Sequence, residues 1–134
     1  MTAVLFLCPH NAAKSILAAG YYRAALRARG LDGRVQSAGT EPDAAIWPSI
    51  IERLNEEGIE VEEAAPRLVT ATDLAAADRV ISLGCERETL NAIDPSAVNI
   101  EFWNDVPLPS QDLDGAQAVI KAKVTALVDE LSAG

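Results

Sequence analysis

The sequence has few cysteines, one histidine and no long hydrophobic run, and each shortage narrows the functions it can have. Cys8 and Cys85 are the only cysteines in 134 residues and His10 is the only histidine. A disulfide scaffold is therefore not expected, nor is a metal site. No apolar run approaches the roughly 20 residues of a membrane-spanning helix, and Ala3–Leu7 is too short for the core of a signal peptide. We expect a cytoplasmic protein with no membrane association.

Cations are also scarce, because 11 Lys and Arg residues face 20 Asp and Glu residues, giving a net charge of −9. Nucleic-acid binding needs clustered cations to neutralise phosphates, so this class of partner is not expected. Any anion site must overcome the repulsive field of the whole chain with local donors. Hydrophobic residues make up 49% of the chain, enough for one core, and we expect a single domain over residues 1–134.

The hydrophobic pattern alternates between short apolar runs and segments with helical spacing. The predicted strands are 3–7, 34–38, 79–83 and 98–102. The predicted helices are 14–29, 46–57, 73–77 with Thr72 as its cap, 86–92, and a last one with Ile120, Val124, Leu127, Val128 and Leu131 on one face. This alternation predicts an α/β fold with a parallel sheet covered on both faces. Ligands of such sheets bind beyond the carboxyl ends of the strands, where Cys8, Ser37 and Cys85 should meet.

Residues 8–15, Cys-Pro-His-Asn-Ala-Ala-Lys-Ser, connect a buried strand to a helix and have the composition of an oxyanion site. Backbone N–H groups and the helix dipole attract an anion at such a junction. The same field favours the thiolate of Cys8, which is the nucleophilic form of a cysteine. The alternative is a small buried cysteine at the end of a strand, but the Cys-x5-Lys-Ser spacing favours the anion site.

Each residue of this loop has a predicted part in holding the anion or the sulfur. Lys14 supplies a positive charge, Ser15 can donate a hydrogen bond to the sulfur, and Asn11 tolerates a left-handed backbone. His10 could serve as an acid or a base, although such a side chain more often points to solvent. The predicted oxyanion-binding residues are Pro9, His10, Asn11, Ala12, Ala13, Lys14 and Ser15.

The segment 4–15 resembles the opening of the low-molecular-weight tyrosine phosphatase superfamily, in particular its arsenate reductases of the arsenate–mycothiol transferase kind. The resemblance continues through 37–42 and 77–85 and to Trp103 with the Pro-containing loop after it. It implies a three-layer, phosphotyrosine phosphatase I-like fold with a four-stranded parallel sheet in the order 2-1-3-4 and helices on both faces. It also implies that Cys8 is the nucleophile, that Asn11 shapes the loop and that Ser15 stabilises the thiolate.

Two departures from the family pattern bear on the reaction. Lys14 stands where the family usually has an Arg, whose planar fork grips two oxygens at once. Leu108-Pro109 stands where the phosphatases have an Asp-Pro pair that protonates the leaving phenol. Asp105 is a candidate substitute for this acid, although a solvated or helix-capping role is as plausible. Because phenolate leaves poorly without an acid, the departures favour arsenate chemistry.

Three functions remain open on the sequence. The first is a thiol-dependent arsenate reductase in which mycothiol or glutathione, with a mycoredoxin, glutaredoxin or thioredoxin as partner, resolves the Cys8 adduct and no cofactor is bound. Cys85 could instead be the resolving thiol, or it could be a buried structural residue. The second function is tyrosine phosphate hydrolysis, and the third is oxyanion binding with weak catalysis.

Overall fold

A four-stranded parallel sheet forms the centre of the structure, a computed structural model that describes residues 2–97 and 99–133. The strands are β1 (Ala3–Leu7), β2 (Arg34–Ala38), β3 (Arg79–Ser82) and β4 (Ile100–Phe102), in the order β2-β1-β3-β4. This confirms the predicted fold class and strand order. β3 ends one residue earlier than predicted. β4 begins at Ile100 instead of 98, and Val98 itself lies outside the described residues.

Among the residues that the structure describes, five helices cover the sheet: α1 (Lys14–Ala28), α2 (Pro48–Glu56), α3 (Ala71–Ala76), α4 (Arg87–Ile93) and α5 (Leu113–Ala133). The predicted cap of α3 was wrong, because Thr70 and not Thr72 begins it. Thr70 Oγ1 accepts a hydrogen bond from Asp73 N at 3.1 Å, and Asp73 Oδ2 accepts one from Thr70 N at 2.9 Å. This reciprocal capping box satisfies two backbone donors at once, which the local sequence around Thr72 cannot do.

The alternation of side chains along β1 places successive residues on opposite faces of the sheet. Val4 and Phe6 pack with α1, α2 and α5 on one face, whereas Leu5 and Leu7 pack with α3 and α4 on the other. Cys8 follows β1 with the parity of Phe6 and belongs to the first face. No helix within residues 2–97 and 99–133 is both long enough and apolar enough to cross a bilayer.

The register of the sheet aligns the ends of its central strands at one edge. Leu7 at the end of β1 lies opposite Ala38 of β2 and Ser82 of β3. The three loops that follow therefore leave the sheet side by side, beginning at Cys8, at Gly39 and at Leu83. This is the edge at which ligands of parallel sheets bind.

Candidate active site

The segment 41–47 runs beside the loop 8–15, here called the oxyanion loop, and holds its carbonyl oxygens. The bonds are Glu41 N to Pro9 O at 2.7 Å, Asp43 N to His10 O at 3.0 Å and Trp47 N to Ala12 O at 3.2 Å. Within residues 2–97 and 99–133, the backbone N–H groups of residues 10–13 donate to no acceptor. Fixed carbonyls and unpaired N–H groups make the loop a preorganised anion cradle.

Asn11 supplies the turn that this cradle requires. Its φ of 49° is left-handed, a conformation that asparagine adopts more readily than most residues. Its side chain is fully buried and donates from Nδ2 to Ser15 Oγ at 2.8 Å and to Ser37 Oγ at 3.0 Å. Its Oδ1 accepts the backbone N–H of Arg67 at 3.0 Å. These bonds hold the oxyanion loop against β2 and against the segment that follows Pro66.

The Cys8 sulfur lies at the N-terminus of α1 and forms two hydrogen bonds with Ser15. Sγ is 3.0 Å from Ser15 Oγ and 3.4 Å from Ser15 N. Ala13, the N-cap residue of α1, supplies no side-chain cap, so the sulfur takes the place of a capping oxygen. The positive end of the helix dipole and the Ser15 N–H therefore both lie against the sulfur.

Two glycines allow the neighbouring loops to approach the oxyanion loop closely. A Cβ on Gly39 would lie 2.6 Å from Pro9 O and 2.8 Å from Cys8 O, distances that no side chain tolerates. Gly84 has a φ of 106° and faces the Lys14 amine, which would lie 3.5 Å from a Cβ at that position. The sequence places both glycines in turns but does not reveal that they pack on the loop.

A cleft of about 240 Å³ opens above the cysteine. It is lined by Cys8, Pro9, His10, Ala12, Ala13, Lys14, Trp47, Gly84, Leu108, Pro109 and Ser110. Lys14 forms no ion pair with the residues that the structure describes, so its charge remains available to a bound oxyanion. The predicted oxyanion-binding residues are thus brought together, with Asn11 and Ser15 buried beneath the cleft.

His10 lies at the rim of the cleft, and residues of the neighbouring segment 41–47 contact its side chain. Its Nδ1 lies 3.1 Å from Glu41 O and 3.3 Å from Asp43 Oδ1. Asp43 also accepts the indole N–H of Trp47 at 3.1 Å. The His10 side chain is 54% exposed, as expected of a side chain that points to solvent, but it also lines the cleft.

The structure does not bring Asp105 to the cysteine, which corrects the expectation that it could replace the missing acid. Its side chain is 66% exposed and pairs with Lys123 Nζ at 3.0 Å. The hydrogen bond from Lys123 lowers the pKa of Asp105, whereas a general acid must hold its proton near neutral pH. Leu108 and Pro109 from the same loop line the cleft instead, and neither can transfer a proton.

Cys85 follows β3 at the predicted edge but belongs to the opposite face of the sheet. Both cysteines are free thiols; Cys8 packs in the hydrophobic cluster of α1 and α5, and Cys85 in that of α3 and α4. Burial raises the pKa of the Cys85 thiol, and the charge of Cys8 acts in the same direction. Thr40 Oγ1 lies 3.9 Å from its sulfur. This environment suits a protonated thiol.

Four residues around the site were missed by sequence reasoning, namely Asp43, Trp47, Glu63 and Arg67. The sequence places Trp47 within the predicted helix 46–57 and indicates no role for the other three. They reach the site through contacts with residues 26 to 56 positions away in the chain, such as Ser37 Oγ to Glu63 Oε2 and Arg67 N to Asn11 Oδ1. No local pattern encodes such pairings.

Comparison with known proteins agrees with this geometry. A protein of Halobacterium salinarum named "Putative arsenate reductase" is 26% identical over 132 residues, which are 95% of this chain and 91% of that protein. The thioredoxin-dependent arsenate reductase Cg_ArsC1' of Corynebacterium glutamicum is 26% identical, with a TM-score of 0.79; the match covers 98% of this chain and 62% of that one.

Two further solved structures share the fold with higher TM-scores. The low molecular weight protein tyrosine phosphatase of T. tengcongensis has a TM-score of 0.86 at 23% identity, over 97% of this chain and 99% of that one. YfkJ from Bacillus subtilis has a TM-score of 0.88 at 23% identity, over 98% and 95%. The family profile described as low molecular weight phosphotyrosine protein phosphatase matches residues 3–98. The chain belongs to this family of enzymes.

Proposed function

We propose that this enzyme reduces arsenate with the help of an external thiol and uses Cys8 as its nucleophile. The observation that carries the proposal is the composition of the cleft. The described lining residues provide Cys8, unpaired backbone N–H groups and the free cation Lys14, but no carboxylic acid. A phosphatase must protonate a phenolate as it leaves. Arsenate releases hydroxide or water and exchanges its ligands more readily, so it depends less on such an acid.

The proposed reaction begins with attack of the Cys8 thiolate on arsenic. A sulfur–arsenic bond forms and hydroxide leaves, while Lys14 and the N–H groups of the loop neutralise the remaining oxygens. A second thiolate then attacks the Cys8 sulfur, and the electron pair of the sulfur–arsenic bond passes to arsenic. This yields arsenite and a mixed disulfide on Cys8. A redoxin with two thiols then reduces the mixed disulfide, which releases the small thiol, restores Cys8 and leaves the redoxin as a disulfide.

We assign the second thiol to a small molecule, mycothiol or glutathione, instead of Cys85. Two observations support this assignment: Cys85 packs on the opposite face of the sheet from Cys8, and burial raises the pKa of its thiol. A protonated thiol is a poor nucleophile. The cleft above Cys8 is open at its rim, where Leu108 is 51% exposed, and a small thiol can enter there.

Intact-mass analysis tests the proposal. The protein is incubated with arsenate and with mycothiol or glutathione, with and without a redoxin, and arsenite is quantified. We expect a mass increase equal to one thiol on Cys8, and arsenite release that Cys85→Ser retains and Cys8→Ser loses. If Cys85→Ser loses turnover and the parent protein forms a Cys8–Cys85 disulfide, the resolving thiol is Cys85 and not an external thiol. Turnover that survives Cys8→Ser would refute the proposal.

Tyrosine phosphate hydrolysis is the second candidate, and the apolar walls of the cleft favour it. Trp47, Leu108 and Pro109 could hold an aromatic ring above the sulfur. Para-nitrophenyl phosphate is the test substrate. Fast hydrolysis that depends on His10 would favour this function, because His10 lines the cleft. We expect Asp105→Asn to leave any hydrolysis unchanged within about twofold, since Asp105 is exposed and paired with Lys123.

A further inference from the structure

A partly buried ion pair lies behind the oxyanion loop and is connected to the Cys8 sulfur by hydrogen bonds. Arg23 of α1 binds Glu63 through two contacts of 3.0 Å, and the two side chains are only 13% and 11% exposed. Glu63 Oε2 also accepts the hydroxyl of Ser37 at 2.9 Å. Ser37 in turn contacts Asn11. A carboxylate is held in this buried position only when its acceptors are satisfied.

The direction of each hydrogen bond in this chain follows from its neighbour. An ionised carboxylate can only accept, so Ser37 must donate its single hydroxyl hydrogen to Glu63. Ser37 Oγ can then only accept from Asn11, which requires Asn11 Nδ2 at this position. The bond from Arg67 N to Asn11 Oδ1 imposes the same orientation of the amide.

The direction of the hydrogen bond between Ser15 and the Cys8 sulfur follows in the same way. The second hydrogen on Asn11 Nδ2 is donated to Ser15 Oγ at 2.8 Å. Ser15 Oγ is thus an acceptor toward Asn11, and its own hydrogen is free for Cys8 Sγ at 3.0 Å. Together with the Ser15 N–H, the sulfur receives two donors and makes no donation in return. A sulfur in this arrangement acts only as a hydrogen-bond acceptor.

We propose that Glu63, held by Arg23, is a positioning residue that acts together with the Arg67 N–H to set the direction of the hydrogen bonds from Ser37 through Asn11 and Ser15 to Cys8, and so keeps Cys8 ionised. Glu63 does not touch the substrate. Its effect passes through three buried polar side chains, each with its partners assigned. The inference rests on the proposed function only in taking the Cys8 thiolate as the reactive species.

The test is the rate at which iodoacetamide alkylates Cys8 between pH 5 and pH 9, measured by mass spectrometry in the Cys85→Ser background. This rate is measured without arsenate turnover. The inference can therefore fail while the proposed function holds, and the proposed function can fail while the inference holds. Glu63→Gln keeps the shape but can donate to Ser37. We expect alkylation near pH 6 to slow on the order of tenfold, and the pH profile to move upward.

Two further variants separate the effect from a general loss of charge. Glu62→Gln is the matched control, because Glu62 also faces Arg23, at 3.8 Å, yet is not bonded to Ser37. It should leave the profile unchanged, and Glu63→Asp should restore much of the lost rate. Lys14 and His10 are the charged or titratable groups that face Cys8 from the oxyanion loop, and these variants leave both intact.

Ser37→Ala provides an independent route if Glu63→Gln fails to fold, which circular dichroism would reveal. This variant retains the pair of Arg23 and Glu63 but interrupts the chain between Glu63 and Asn11, so it should show the same upward movement of the profile. A folded Glu63→Gln or Ser37→Ala protein with the parental profile would overturn the inference. An equal shift in Glu62→Gln would also overturn it, because the effect would then be one of overall charge.

Discussion

Gly39→Ala tests whether the position of the oxyanion loop, and not only its residues, determines the reactivity of Cys8. The new Cβ would lie 2.6 Å from Pro9 O and 2.8 Å from Cys8 O, with Asn11 Cβ at 3.0 Å. All three atoms belong to a backbone segment or a buried side chain, so no flexible side chain can yield. To reach an ordinary contact of about 3.4 Å, the loop must move by roughly 0.6–0.8 Å.

The size of the expected effect follows from this movement. A reactive constellation tolerates a displacement of only about 0.5 Å, and a misplacement of about 1 Å can cost on the order of 100-fold in rate. We therefore expect Gly39→Ala to reduce both arsenate turnover and Cys8 alkylation by roughly 10- to 100-fold. Overpacking of this kind should also cost about 1–3 kcal/mol of unfolding free energy, so the folded fraction must be measured by chemical denaturation.

Gly58→Ala is the matched control. A Cβ on Gly58 would meet nothing within 4 Å, but its φ of +75° is left-handed, and alanine there should cost about 1–2 kcal/mol. The two variants should therefore lose similar stability, and only Gly39→Ala should lose reactivity. Parental alkylation in Gly39→Ala, or an equal loss in Gly58→Ala, would show that the packing of the loop does not control the sulfur.

Three further outcomes follow from the same structure. Lys14→Met should weaken sulfate binding roughly tenfold in calorimetry, because it removes the cation of the cleft, and Lys14→Arg should retain binding. Cys85 should alkylate more slowly than Cys8 at pH 7, although their exposed fractions are 5% and 4%. Burial raises the pKa of Cys85, so its rate should rise only as the pH becomes alkaline. Asp73→Asn should cost about 1 kcal/mol at pH 7 through loss of the capping box. Burial opposes ionisation of Asp73, yet the bonds from an arginine and the capping threonine lower its pKa; its stabilisation is therefore present at pH 7 and is lost as the pH falls through that lowered value.

The local sequence pattern predicted those elements of the structure that are determined by residues close together in the chain. Strand residues 3–7 and 34–38 have the predicted bounds. The first is a short apolar run, which is typical of a buried parallel strand. The oxyanion loop was predicted as well, since a cysteine, a lysine and a serine at fixed spacing form one strand–helix junction. The strand order came from family resemblance, because periodicity alone does not specify which strands are neighbours.

The parts that could not be predicted depend on contacts between distant segments. The segment 59–69 looks like a polar loop, yet Glu63 and Arg67 from it fix Ser37 and Asn11. Asp105 failed as a candidate acid for a related reason. Its place in the sequence is close to the family position, but Lys123 of α5 draws the carboxylate to the surface. The position of a side chain depends on its partners in space, and a short stretch of sequence does not reveal those partners.

The charge distribution bears on which oxyanion can use the cleft. The chain has a net charge of −9, and at physiological ionic strength its field is screened over about 8 Å. Lys14 and the N–H groups of the oxyanion loop act at much shorter range, inside a cleft of about 240 Å³. A small anion that enters the cleft experiences mainly these donors. An acidic phosphoprotein would keep most of its charge outside, in the repulsive field. The electrostatics therefore support the proposed small inorganic oxyanion as the substrate, and the proposed redoxin would meet the same negative field with a basic surface.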